Sequence, residues 1–186
     1  MTDPQSAPRG LPGETGLWVF IFFDLMTFAL FFTLAAIDLH GAPAVFAAGK
    51  ASLDLTIGAV NTLVLLTGSW AVAMGTRVAV DGRKVSHWLT GAALSGVLFL
   101  ALKALEYSHI LGSGHAFTEN PFYTWYFFLT AYHALHVTVG IVLLAVVASR
   151  YRQGQTPDYR LVEAAGCYWH LVDLLWIGIF LILYLI

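Results

Sequence analysis

Five long apolar windows joined by short connections constrain this chain more than any other feature of its sequence. Hydrophobic residues occupy 59% of the 186 positions and charged residues only 11%, whereas a soluble domain is about 25% charged. A helix needs roughly 20 mainly apolar residues to cross about 30 Å of hydrocarbon. The windows that meet this length are about 17–38, 55–78, 88–111, 122–149 and 164–186. We therefore expect an integral membrane protein.

We expect the five windows to form one all-α bundle of five transmembrane helices. A lipid-facing segment must satisfy its own backbone hydrogen bonds, and the alternating pattern of a transmembrane barrel does not occur. The connections contain turn residues and are too short for a soluble domain. Residues 1–16 are expected to be a polar tail, followed by a single transmembrane domain over 17–186. The first window is longer than a signal-peptide core and contains Asp24, so cleavage is not expected.

Basic residues fall almost entirely on one side of the windows. The side that includes the N-terminus carries Arg9, Arg77, Arg83, Lys84, Arg150, Arg152 and Arg160. The other side carries Lys50, and the remaining basic residue, Lys103, lies within the third window. Because cytoplasmic connections of membrane proteins are rich in Lys and Arg, we expect a cytoplasmic N-terminus and a C-terminus on the opposite side.

Charge and cysteine content exclude several classes of protein. The net charge is −2 and the basic residues form no patch, so nucleic acid is not an expected partner. Cys167 is the single cysteine, which excludes an internal disulfide, a Cys-x-x-Cys metal pair and a Cys-x-x-Cys-His haem attachment. Any redox cofactor would therefore have to be held by histidine.

Ionisable side chains lie inside windows that otherwise span lipid, where such groups usually mark function. These residues, all in the predicted cytoplasmic half, are Asp24, His133, His136, Glu163, His170 and Asp173. The two histidines of the fourth window share one helix face, and the three residues of the fifth window share another. We expect the two faces to meet as a buried polar seam between the fourth and fifth transmembrane helices.

Three interpretations of this seam are open. It could supply hydrogen bonds that hold helices in register, or it could carry protons or ions. It could also bind a metal, since His-x-x-His and His-x-x-Asp spacings supply ligands for zinc, iron or copper. The metal interpretation is the least favoured, because di-metal bundles draw ligands from four helices and only two windows here combine histidine with this spacing.

A second polar cluster lies toward the other side of the membrane and consists of Asn61, Lys103 and Glu106. The i, i+3 spacing of Lys103 and Glu106 predicts an intrahelical ion pair near the interface, with Asn61 at similar depth. Tyr126 and Tyr184 are expected to be aromatic anchors at the interface. Small-residue runs that include Gly68 and Gly96 predict close helix contact.

The order of motifs resembles subunit III of the haem-copper respiratory oxidases, from Gly16 to Leu185. In order the motifs are Gly16-Leu-Trp-Val-Phe20 with Asp24, Asn61-Thr-Leu-Val-Leu-Leu, Leu102-Lys-Ala-Leu-Glu106-Tyr107, His133-Ala-Leu-His136-Val and Glu163-Ala-Ala-Gly-Cys-Tyr-Trp169-His170-Leu-Val-Asp173-Leu-Leu-Trp176. The last string is the most specific. Tyr-Trp-His-x-Val-Asp-x-x-Trp in a final window, with His-x-x-His one window earlier, is hard to obtain by chance.

The chain departs from this family in two ways. Long members have seven helices and this chain resembles their last five, so a phospholipid cleft built with the first two helices cannot form in the same way. Position 24 carries Asp where oxidase members usually carry Glu. The surrounding sequence is similar to the short branch associated with nitric oxide reductases, which is the expected subfamily.

The resemblance implies a non-catalytic accessory subunit of a cytochrome c oxidase or nitric oxide reductase in a bacterial inner membrane, with a periplasmic C-terminus. Such a subunit holds no haem or copper, stabilises the catalytic haem-copper subunit I and lies near a proton-uptake entrance. Haem and copper or iron would belong to that partner, and membrane lipids, including bound phospholipid, are further expected neighbours. Two alternatives stay open: a haem- or metal-binding membrane protein, and a small proton or ion transporter that uses Asp24 and the polar seam.

Overall fold

The computed structural model describes residues 15–78, 82–154 and 159–186, and these ranges are almost entirely helical and contain no strand. The helices are α1 (Thr15–Gly41), α2 (Pro43–Ala51), α3 (Leu55–Arg77), α4 (Gly82–Gly112), α5 (Pro121–Arg152) and α6 (Tyr159–Phe180), which a π-helical turn (Leu181–Leu185) continues. All except α2 are long and apolar enough to cross a membrane. The all-α fold with five membrane-spanning helices is thereby confirmed, while most of the predicted polar tail lies outside the described residues.

The short helix α2 is a feature that the hydrophobic windows did not predict. It has nine residues, too few to span a membrane, and it begins at Pro43, which suits the first position of a helix. It packs against α5, where the rings of Phe46 and Phe122 meet edge to face at 5.7 Å. Gly49 permits this contact, because a Cβ there would lie 2.1 Å from the Phe122 ring.

Side-chain caps define where α3 and α5 begin. Asp54 accepts hydrogen bonds from the backbone N–H of Thr56 at 2.8 Å and of Ile57 at 3.3 Å. These backbone hydrogen bonds, that of Thr56 first, hold the pKa of Asp54 below its ordinary value. Asn120 accepts from the N–H of Tyr123 at 3.1 Å. Both caps satisfy N–H groups that a helix start leaves without an intrahelical partner.

Helices α3, α4, α5 and α6 form a closed ring, in which each helix packs against the next and α6 returns to α3. Helix α1 lies outside the ring and packs against α6 and α5. Because the connections are short, neighbouring ring helices run antiparallel. Arg77, Lys84, Arg152 and Arg160 therefore lie at one end of the ring, which we call the basic end and which is the end predicted to face the cytoplasm.

The indole of Trp169 fills the centre of the ring and contacts a glycine on each of the other three helices. A Cβ would lie 2.7 Å from the indole at Gly96 of α4 and 3.0 Å at Gly140 of α5. At Gly68 of α3, a Cβ would lie 3.4 Å from the indole but 2.1 Å from Oγ of Ser95 on α4. Trp169 is completely buried. We call these glycines the glycine collar. They confirm the close helix contact predicted for the runs that contain Gly68 and Gly96.

A single added methyl group tests the glycine collar. In Gly96→Ala, the new Cβ would lie 2.7 Å from Cη2 of Trp169 and 2.8 Å from Cγ1 of Ile141. We expect a loss of about 1–3 kcal/mol in the free energy of unfolding, as is typical of overpacking. Unfolding in mixed detergent micelles, followed by circular dichroism, measures this loss.

The matched control for this prediction lies on the same helix. A Cβ at Gly91 meets no atom within 4 Å, so Gly91→Ala should be neutral or slightly stabilising, since Ala is the better helix former. Equal destabilisation of the two variants would contradict the role assigned to the collar.

Candidate functional site

Lys103 and Glu106 of α4 form an ion pair inside the ring. Nζ of Lys103 lies 3.0 Å from Oε2 of Glu106, as their i, i+3 spacing predicts. The two residues are only 4% and 3% exposed, so the pair is enclosed by the ring helices. Burying an ion pair is favourable only when further hydrogen bonds complete it, so the surrounding groups matter.

Two tyrosines from other helices complete this ion pair. The hydroxyl of Tyr126 on α5 donates to Oε1 of Glu106 at 2.9 Å, and the hydroxyl of Tyr184 also donates to Oε1. Nζ of Lys103 donates to the Tyr184 oxygen at 2.7 Å and lies 5.0–5.3 Å from the ring centroids of Tyr126, Trp176 and Tyr184. We call Lys103, Glu106, Tyr126 and Tyr184 the ion-pair cluster.

Sequence reasoning missed the role of the two tyrosines in the ion-pair cluster. Tyr126 and Tyr184, which we expected to anchor at the interface, are buried, with 0% and 8% exposure. Tyr184 lies in the π-helical turn that ends α6, and π-helical geometry is frequent at functional sites. The only indication in the sequence was the position of the two tyrosines along their helices, which places them at the same membrane depth as Lys103 and Glu106.

The hydrogen bonds continue from the ion-pair cluster into the α4–α5 contact. The hydroxyl of Thr130 donates to the backbone oxygen of Tyr126 at 2.5 Å. Since that hydroxyl has one proton, the hydroxyl of Tyr107 is the donor in its bond to Thr130. Asn61 is completely buried on α3, one turn from Gly58, which packs against the Tyr184 ring. All the predicted outer residues therefore lie within the ring at this level.

Asp24 of α1 and His136 of α5 form a second buried pair. Nε2 of His136 lies 3.0 Å from Oδ1 of Asp24, and the residues are 6% and 7% exposed. Nδ1 of His136 lies 2.8 Å from the backbone oxygen of Tyr132, which can only accept, so Nδ1 carries a proton. The bond to Asp24 then needs one further proton, on Nε2 or on the carboxyl group. The pair is electrically neutral in either case, which suits burial in a membrane.

Polar contacts at two depths tie α1 to the ring. Besides the Asp24–His136 pair, Nε1 of Trp125 donates to Oδ2 of Asp38 at 2.7 Å. Between them, the ring of Phe28 packs against Tyr132 and His136 with centroids 5.2 and 5.6 Å apart. The remaining surface of α1 is exposed and apolar, with Phe22, Phe23, Met26 and Leu30. Helix α1 is therefore attached by a few specific contacts and not by deep burial.

His133 does not take part in a polar seam. It is completely buried, and no hydrogen bond joins either ring nitrogen to the described residues. Its ring packs against Phe99 at 5.5 Å and Trp176 at 5.2 Å. In this aromatic layer of the core, the imidazole fills space between α4 and α6.

Two polar residues of α6, His170 and Asp173, lie beside α3 instead of α5. Nδ1 of His170 lies 2.6 Å from Oγ of Ser69, and His170 is exposed. Asp173 is 4% exposed with Ser69 as a polar neighbour, and Glu163 is half-buried nearer the basic end. The side of α6 that meets α5 carries Tyr168, whose hydroxyl donates to the backbone oxygen of His136 at 3.2 Å.

The predicted seam between the fourth and fifth transmembrane helices is therefore wrong as an arrangement. His136 pairs with α1, His133 packs in an aromatic layer and His170 bonds to α3. Helical spacing correctly grouped residues on each helix, but it did not reveal how each helix is rotated toward its neighbours. Within the described ranges, no three His, Cys, Asp or Glu side chains come together as a set that could hold a metal ion.

Comparisons with known proteins agree on one family. The family model for cytochrome c oxidase subunit III matches residues 9–186. A cytochrome bo(3) ubiquinol oxidase subunit 3 from Pseudomonas putida is 30% identical, covering 92% of this chain and 84% of its own length. Cytochrome c oxidase subunit 3 of Synechocystis is 33% identical, covering 92% and 74%, and that of Thermostichus vulcanus is 30% identical, covering 92% and 86%.

Breaking the Lys103–Glu106 pair on one side should be strongly destabilising. Glu106→Gln leaves the Lys103 charge without a counter-charge in an apolar core, and we expect a loss of about 3–5 kcal/mol. The double variant Lys103→Met with Glu106→Gln removes both charges and keeps an acceptor for Tyr126 and Tyr184, so most of that loss should be recovered. The measurement is unfolding in mixed micelles for the single and double variants. Additive losses would contradict the pairing.

Proposed function

The chain belongs to the cytochrome c oxidase subunit III family, and we propose from that premise that it acts as a non-catalytic accessory subunit of a respiratory haem-copper complex. The observation that carries this proposal is the family match over residues 9–186, which covers every described helix. Five apolar helices and relatives from bacteria agree with a multi-pass protein of the bacterial inner membrane. Its partners are the other subunits of the complex.

We propose the catalytic haem-copper subunit I as the direct partner. Subunit III has no redox cofactor of its own, so haem and copper or iron would reside in that partner. Exposed apolar side chains occur on each of the spanning helices, which suits a bundle packed against lipid and against helices of another subunit. The basic end supports a cytoplasmic N-terminus and a periplasmic C-terminus.

The acceptor that the complex reduces is a separate proposal. The relatives named above are oxidases of cytochrome c or ubiquinol, which favours an oxidase. The nitric oxide reductase branch, suggested by Asp24 and its neighbours, stays a prediction. Oxygen and nitric oxide consumption by the purified complex distinguish the two.

A phospholipid is a further proposed neighbour. An apolar groove of about 420 Å³ lies between α3 and α4, lined by Trp70, Ala71, Trp88 and Gly91 among others. Its lining lies in the half of the bundle nearer the basic end, where Arg77 and Lys84 lie. An acyl chain in the groove with an anionic headgroup at that end fits this chemistry.

The proposal predicts that the tagged chain, purified from its native membrane in mild detergent, brings a haem-containing subunit with it. Visible spectra should show haem in the complex, whereas the chain separated from its partners should be colourless and free of bound transition metal. Removing the chain should leave the electron-transfer step intact but make the enzyme lose activity sooner during turnover. A native complex that never contains this chain would contradict the proposal.

Asp24 offers a test of a role in proton uptake. Asp24→Asn keeps a hydrogen bond to His136 but cannot release a proton, so we expect an assembled complex with several-fold slower proton uptake. Asp24→Glu should retain the rate. Asp24→Leu leaves Nε2 of His136 unsatisfied at a cost of about 1–3 kcal/mol and should weaken assembly. Proton uptake measured with a pH dye on each assembled complex decides this, and an unchanged rate in Asp24→Asn would remove the proton role.

A further inference from the structure

The outward side of α6, between α1 and α3, carries a continuous exposed stripe. Its residues are His170, Leu174, Ile177, Leu181 and Leu185. Their spacing of three or four residues aligns them along one side of the helix. On one flank, Gly178 packs against Phe32 of α1, and on the other, Nε1 of Trp176 donates to Thr62 of α3 at 3.0 Å. We call this stripe, with Ser69 beside it, the α6 face.

The α6 face contains a polar group within an otherwise apolar membrane surface. His170 is exposed, and Ser69 engages one of its two ring nitrogens. Leu174 and Ile177, the next members of the stripe, are 58% and 43% exposed. A ring nitrogen that faces hydrocarbon without a hydrogen bond is costly, so this position favours contact with protein.

Asp173 is a second polar group near His170, but it is buried beneath the α6 face. It lies one turn from His170 on the side toward α3, is 4% exposed and has Ser69 as a polar neighbour. Neither of its carboxyl oxygens forms a hydrogen bond with the described residues. At its surface, the α6 face therefore combines apolar contact area with one ring nitrogen of His170 that Ser69 does not engage.

The outward surfaces of α4 and α1 at mid-membrane lack this combination. The exposed side of α4 carries Leu94, Val97 and Leu98 there, which lipid tails cover without cost. On α1, the hydroxyl of Thr27 donates to the backbone oxygen of Phe23 at 2.8 Å, so it needs no outside partner. The α6 face is thus distinguished by chemistry and not by apolar area.

We propose that the α6 face binds a transmembrane helix of another subunit of the complex, and that a side chain of this helix forms a hydrogen bond with the ring nitrogen of His170 that Ser69 does not engage. A hydroxyl or amide group, which can both donate and accept, would meet this need in either tautomer of His170. An acyl chain offers neither a donor nor an acceptor at this depth, which argues against lipid as the occupant. The inference rests on the proposed function, because it names the surface through which the accessory subunit meets its partner.

Matched tryptophan substitutions test the α6 face by steric obstruction. Leu174 on α6 and Leu98 on α4 are 58% and 49% exposed, and they lie at similar depth because Phe99 packs against Trp176. In complexes purified through the tagged chain, Leu174→Trp should lower the haem recovered per chain by about tenfold, equivalent to about 1.4 kcal/mol of binding. Leu98→Trp should leave recovery unchanged.

A second measurement does not depend on disrupting the interface. A photoreactive diazirine amino acid at position 174 should crosslink to another subunit of the intact complex, whereas the same amino acid at position 98 should label only lipid or detergent. Circular dichroism and unfolding in micelles should match the wild-type chain for every variant compared, so that loss of binding is not loss of folding.

The outcomes separate this inference from the proposed function. If the wild-type chain recovers no haem protein, the proposed function itself fails. If it does recover haem but both tryptophan variants retain it equally, and position 174 crosslinks to lipid or to a second copy of this chain, the α6 face is not the interface with the complex.

Discussion

The fit of Trp169 against the glycine collar is the constraint on which the rest of this structure depends. Helices α4 and α5 approach the indole closely through Gly96 and Gly140, and α3 approaches Ser95 of α4 through Gly68. These close approaches set the width of the ring. At that width, the next layer holds the Phe99 and Trp176 rings 4.7 Å apart. The layer beyond it brings tyrosines of α5 and α6 onto the ion pair of α4. A wider ring would separate those hydroxyls from Glu106.

Hydrocarbon explains why most buried polar groups here bind a group on another helix. No water is available at mid-membrane, so a polar side chain lowers its cost only by finding a protein partner. His136 bonds to α1, and Glu106 accepts from α5 and the end of α6. Each hydrogen bond can form at only one relative depth and one rotation of its two helices. These groups therefore fix the alignment of helices that apolar packing alone would allow to shift along each other.

The sequence predicted the number and type of spanning helices because the length of an apolar segment is a local property, and the thickness of the bilayer fixes the length that is needed. It also predicted the Lys103–Glu106 pair, since i, i+3 neighbours meet within any helix. It did not predict that His170 faces α3, because the rotation of a helix about its axis is decided by tertiary packing. Helix α2 was missed because nine residues leave no spanning signal, and Tyr184 because its π-helical turn has no recognised pattern.

The difference between local and tertiary information also applies to function, because this subunit contributes structure and not cofactors to its complex. The motifs that identify the family contain the interior polar residues. Many of these residues, including the ion-pair cluster, form their hydrogen bonds within the chain and have none left for a partner subunit. Residues that decide assembly must instead lie where the chain leaves hydrogen-bonding capacity at its surface. His170 meets that condition, although it belongs to the family motif. In this chain the motif therefore has two roles. Trp169 packs in the core and stabilises the fold, whereas His170 lies on the outer surface.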